Sequence, residues 1–142
     1  MWENGPELDS ASAATFARDM KTVALADGAL HDRELALINA FEGDLPPGAE
    51  PGPIEGEAVC KAYLQSLIMV GLADGQVSEV EYQEILKLAA KVGLDQAAVD
   101  AAVIEVKREF LKTFAGVRIF RDAVVAIAKE LGLDEAEVDQ LT

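Results

Sequence analysis

The chain has 142 residues, enough for one domain whose core needs no disulfide or metal to hold it. A hydrophobic content of 51% with only 6% aromatics predicts an Ala/Leu/Val-rich helical interior. The net charge of −14 disfavours nucleic acid and membrane surfaces and favours cations or a protein partner with a basic surface.

A single cysteine, Cys60, excludes an internal disulfide and a thiolate cluster. A single histidine, His31, excludes a zinc site built on histidine pairs within one chain. No stretch reaches the roughly 18 apolar residues that span a bilayer. The start, MWENGPELDS, has neither a basic region nor an apolar run and does not read as a signal peptide. A cytoplasmic protein is expected, and a homo-oligomer is left open.

Residues 1–8 read as a loose lead-in. From about Asp9, Ala13, Phe16, Ala17, Met20, Val23 and Ala24 recur at helical spacing, and Asp27-Gly28 stops that helix. A second helix runs from Asp32 to about Glu42, with Leu35 and Ile38 directed inward. Residues 43–56 are rich in proline and glycine and forbid regular structure, which leaves a surface insertion, an interaction arm or a lid. The third helix, about Glu57 to Ala73, is apolar nearly all round in AYLQSLIMVGLA and is expected at the centre. Cys60, near its start, reads as a small core residue.

Ser78-Glu79-Val80-Glu81 opens the fourth helix as a capping box, with Val77 and Tyr82 at the hydrophobic-staple positions. Gly93 ends it. Asp95 caps a fifth helix, about Gln96 to Phe114, with Val99, Val103, Val106, Phe110 and Phe114 inward. A sixth follows from about Val117 to Leu131, and Asp134-Glu135-Ala136-Glu137 opens a short seventh. The fold class is all-α: a single-domain bundle of about seven helices with internally repeated helical hairpins.

Two repeats support this. A shift of forty-seven positions places Val23-Ala24-Leu25-Ala26-Asp27-Gly28 on Val70-Gly71-Leu72-Ala73-Asp74-Gly75, and Glu34 on Glu81. Independently, residues 85–100 align without gaps on residues 124–139, sharing Gly-Leu-Asp and a Val-Asp four residues on.

Catalytic signatures are absent: the chain has no phosphate loop, nucleophile elbow, His-Glu-x-x-His or Cys-x-x-Cys. A non-enzymatic protein is expected. What remains is the duplicated Asp-Gly element with its glutamate. Asp27 and Asp74 each put an anion at a helix C-terminus, where the macrodipole is already negative. Either the carboxylate caps the turn, or a cation or basic side chain offsets it. Carboxylate oxygens suit calcium, magnesium or manganese.

The LADG-x-Φ-x-x-x-E element, followed by an apolar helix and a Gly-Leu-Asp stop, resembles the TerB-like family over roughly residues 12–139. That family comprises the bacterial tellurite-resistance TerB proteins and the N-terminal domain of DjlA-type co-chaperones. The resemblance implies a pseudo-symmetric all-α bundle and a link to tellurite or other stress. It also implies an acidic metal-binding set that falls on Asp27, Glu34, Asp74 and Glu81. The alternative is a metal-independent interaction scaffold that uses the acidic surface. Two departures stand out: His31 occupies the place of the expected Ser or Thr cap, and the 43–56 loop is not part of the pattern. His31-Asp32-Arg33 does not supply the His-Pro-Asp of a J domain, so direct Hsp70 stimulation is not expected.

Overall fold

A computed structural model of the chain describes residues 10–26, 28, 32–42, 48, 50–73, 77–133 and 137. The expected lead-in, most of the first half of the 43–56 loop and, apart from Glu137, the seventh helix with its capping box lie outside the described residues.

Among the described residues six α-helices follow one another: α1 (Ser10–Ala24), α2 (Asp32–Glu42), α3 (Glu57–Gly71), α4 (Glu79–Lys91), α5 (Gln96–Phe114) and α6 (Arg121–Glu130). No strand occurs among the described residues. The all-helical, single-domain reading holds in this form.

Helix α3 is the axis, as its all-round apolar sequence requires. Tyr63, Leu64 and every residue from Ser66 to Ala73 are buried, and α1, α2, α4 and α5 all pack against this helix. Phe16 of α1 meets the Tyr63 ring edge-on, with centroids 5.4 Å apart. Ile85, Leu88 and Ala89 of α4, Val99, Val106 and Phe110 of α5, and Ala123, Val124 and Ile127 of α6 close the same core.

Three sequence expectations need correction. Leu35 is 37% exposed, and the inward face of α2 is formed by Glu34, Leu37 and Ile38. Glu34 holds the buried slot, which rotates Leu35 outward by one helical position. The sixth helix does not begin at Val117. A short 3₁₀ turn, Arg118–Phe120, comes first, and α6 starts at Arg121. The turn swings Phe120 into an aromatic cluster, 4.5 Å from Phe114 and 5.7 Å from Phe110 between ring centroids. Cys60 is half-buried rather than in the core, with its thiol free.

The 50–56 segment is pinned rather than loose. The Gly52 N–H reaches Thr15 Oγ1 at 2.9 Å and the Ala11 carbonyl at 3.1 Å, and the Thr15 hydroxyl donates back to the Gly52 carbonyl at 2.5 Å. The contact is so close that a Cβ on Gly52 would stand 2.7 Å from the Ala11 Cβ.

Candidate functional site

The paired helix stops that carry the sequence argument share their backbone geometry. Leu25 N–H bonds the Lys21 carbonyl at 2.9 Å, and Leu72 N–H bonds the Ile68 carbonyl at 2.9 Å. Ala26 N–H reaches the Val23 carbonyl at 3.1 Å and Ala73 the Val70 carbonyl at 3.2 Å. Each pair is related by the forty-seven-residue shift. Their surroundings differ, for Leu72 is fully buried while Leu25 is exposed.

The helix stops of the second aligned pair also share their backbone geometry. After α4, Gly93 takes φ 84°, its N–H bonds the Ala90 carbonyl at 3.1 Å, and Leu94 N–H reaches the Ala89 carbonyl at 3.0 Å. After α6, Gly132 takes φ 81°, its N–H bonds the Lys129 carbonyl at 3.1 Å, and Leu133 N–H reaches the Ala128 carbonyl at 2.8 Å. Both are Schellman stops, and the left-handed residue explains why glycine stands at each.

Of the four acidic positions, Asp27 and Asp74 lie outside the described residues, as does His31. Glu34 and Glu81 are described, and both are buried, at 1% and 5% exposure. Glu81 is committed to the capping box: its Oε1 accepts from the Ser78 N–H at 3.0 Å, and its own N–H donates to Ser78 Oγ at 3.1 Å. That carboxylate satisfies a helix-end donor that burial would otherwise leave orphaned. Among the described residues no group of three or more His, Cys, Asp or Glu side chains is placed to hold a metal ion.

A buried polar cluster was not singled out by the sequence reading. Asp19 of α1 is buried, and its Oδ2 accepts from the Tyr63 hydroxyl at 2.6 Å while its Oδ1 lies 3.0 Å from Arg18 Nε. Burial, and then the bond to Asp19, push the Tyr63 hydroxyl pKa far above its ordinary value. The Arg18 guanidinium pKa is also raised, chiefly by its hydrogen bond to Asp19. A signal was present: Asp19 falls three residues after Phe16, on the apolar face of α1.

A shallow cleft of about 270 Å³ lies where α4 begins, bounded by Val77, Tyr82, Asp100, Val103, Lys107 and Glu130 among others. Tyr82 donates to Asp100 at 2.5 Å, which is the main reason its pKa is raised, and Lys107 pairs with Glu130 at 2.6 Å. A larger groove of about 400 Å³ runs between α3 and α5 past Cys60, Leu64, Val92 and Leu94.

Charge is unevenly distributed in the chain. Residues 87–129 hold eight Lys/Arg and five Asp/Glu, net +3, so the other residues carry −17 of the total −14. Lys107, Arg108, Lys112, Arg118 and Arg121 fall within fifteen residues, opposed only by Glu109. At the other extreme Glu50, Glu55 and Glu57 are all exposed on and beside the pinned segment.

No family model matches the chain, and neither a curated protein nor a solved structure matches it.

Proposed function

We propose that this chain is a non-enzymatic, cytoplasmic TerB-like protein, a bundle of about seven helices that acts by binding a basic protein surface on its acidic face. The tellurite or stress association is the one the family resemblance implies. The observation that carries the binding mode is the contrast between two sets of carboxylates. Glu34 and Glu81 are folded into the bundle, whereas Glu50, Glu55 and Glu57 stand in solvent on a backbone fastened to α1. A pre-fixed row of charges binds without the entropy cost of ordering a loop.

The second reading is a divalent cation, calcium, magnesium or manganese, held by Asp27 and Asp74 with Glu34 and Glu81. A cation there would offset the negative charge that Asp27 and Asp74 each add to a helix C-terminus.

Titration of fluorescent oligolysine in chelator separates the two. The docking reading expects saturable binding that is lost at about 1 M salt and weakened in Glu50→Gln/Glu55→Gln/Glu57→Gln. No binding at low salt would sink it. Calorimetric titration with each cation addresses the second reading: it expects saturable heat that disappears in Asp27→Asn/Asp74→Asn.

A further inference from the structure

The corner where α5 gives way to α6 differs in charge from the rest of the molecule. Arg108 and Lys112 stand one helical turn apart on α5, and Arg118 follows in the 3₁₀ turn. All three are exposed. Arg108 and Lys112 wall a groove of about 360 Å³ whose floor is Leu111, Leu131 and Leu133. Val117, beside Arg118, is also exposed. The corner is therefore both basic and apolar.

The helix macrodipole explains one of these cations. Lys112 lies in the last turn of α5, where positive charge is favourable. Arg108 sits further back, and Arg118 lies past the helix end, so the dipole does not account for the set.

The complementary surface exists in the same chain. Residues 50–57 read Glu-Pro-Gly-Pro-Ile-Glu-Gly-Glu. Glu50, Pro51, Pro53, Glu55 and Glu57 are exposed, while Ile54 turns in against the core. Proline rings and carboxylates thus share one outward strip. It is held by the Gly52–Thr15 bonds and by two fixed proline φ angles. Three carboxylates and two rings face outward on the strip; three cations face outward at the corner, and two of them, Arg108 and Lys112, flank the half-buried Leu131 and Leu133.

We propose that the basic corner receives the 50–57 strip of a second copy of this chain. Carboxylates of the strip pair with Arg108, Lys112 and Arg118, and its proline rings cover the exposed parts of Leu131 and Leu133. The −14 monopoles of the two copies repel, but the Debye length at physiological salt is about 8 Å, so the facing charges dominate at contact. The inference rests on the docking reading above and gives its basic partner an identity.

Sedimentation velocity at physiological salt tests it. The wild type is expected to rise with concentration above the 15.1 kDa of the monomer and to return to it at about 1 M salt. Two charge-reversed variants, Arg108→Glu/Lys112→Glu/Arg118→Glu and Glu50→Lys/Glu55→Lys/Glu57→Lys, are each expected to stay monomeric. Mixed together they should associate again, because each then offers the other a complementary surface. Circular dichroism and the mixing experiment together show whether a variant has merely unfolded. A wild type that stays monomeric at every concentration overturns the proposal, as does association that survives high salt or a mixture that fails to associate. If such a monomeric wild type still binds oligolysine, the docking reading stands and only self-recognition is lost.

Discussion

Glu81 carries two expectations from the sequence, a helix cap and a metal ligand, and the fold shows the cap. Its carboxylate is occupied by the Ser78 N–H, and the serine oxygen by the Glu81 N–H. Replacing Ser78 by alanine is expected to cost about 1 kcal/mol of stability, measured by urea unfolding. Glu81→Gln should cost much less, since glutamine can still accept that bond, whereas a cation site would lose its charge. If Glu81→Gln destabilises as much as Ser78→Ala, the carboxylate has a role beyond the cap. Gly52 is the opposite case, chosen for what it lacks. Gly52→Ala would bring two methyl carbons to 2.7 Å, and a loss of about 1–3 kcal/mol is expected from overpacking at this site.

Between elements, the polar tie of α1 to α3 carries its own pH signature. The Tyr63 hydroxyl titrates well above its ordinary value in the folded protein because it is buried and donates to Asp19. Its contribution is fully present below the unfolded tyrosine pKa near 10 and is lost as pH rises toward the folded value. Stability of the wild type should therefore fall above about pH 10, and part of that fall should be missing in Tyr63→Phe. The same variant should lose about 1–3 kcal/mol near neutrality, because it leaves the Asp19 carboxylate one donor short in the interior. Equal pH slopes in the two proteins would remove Tyr63 as the cause.

At this scale the sequence was most informative. The apolar periodicity of α1, the all-round apolar run of α3, the Ser78 cap and the paired Gly-Leu stops all follow from local chemistry, and the backbone reproduces them. The α5–α6 connection did not follow, because the 3₁₀ turn packs Phe120 edge-on to Phe110 and tilted against Phe114, a contact between separate elements. Leu35 was misplaced for a related reason: a buried glutamate is invisible to a search for apolar stripes. The Asp19–Tyr63 bond spans forty-four residues, and no local pattern contains both partners. The Gly52–Thr15 pin was hidden likewise, since proline and glycine announce only that no helix forms.

For the whole molecule, the net charge of −14 conceals a basic stretch inside an acidic body. Self-repulsion of the excess acid destabilises the compact state, so the melting temperature should rise as sodium chloride is increased from low ionic strength. Magnesium chloride at matched ionic strength distinguishes screening from binding. Equal gains in the two salts indicate screening alone, and a larger gain in magnesium that vanishes in Asp27→Asn/Asp74→Asn supports the cation reading. No helix among the described residues is long and apolar enough to cross a membrane.

The pin at Gly52 has a kinetic meaning as well as a steric one. It ties position 52 to Ala11 and Thr15, so this stretch and the start of α1 must open together. The hydrogen-exchange rate of the Gly52 amide then reports an event larger than a loop opening. It should slow to the pace of the α1 amides, and Thr15→Ala should release it toward the rate of an exposed amide while most of the α3 amides stay protected. A segment composed like a linker would thus exchange as part of the domain's cooperative unit.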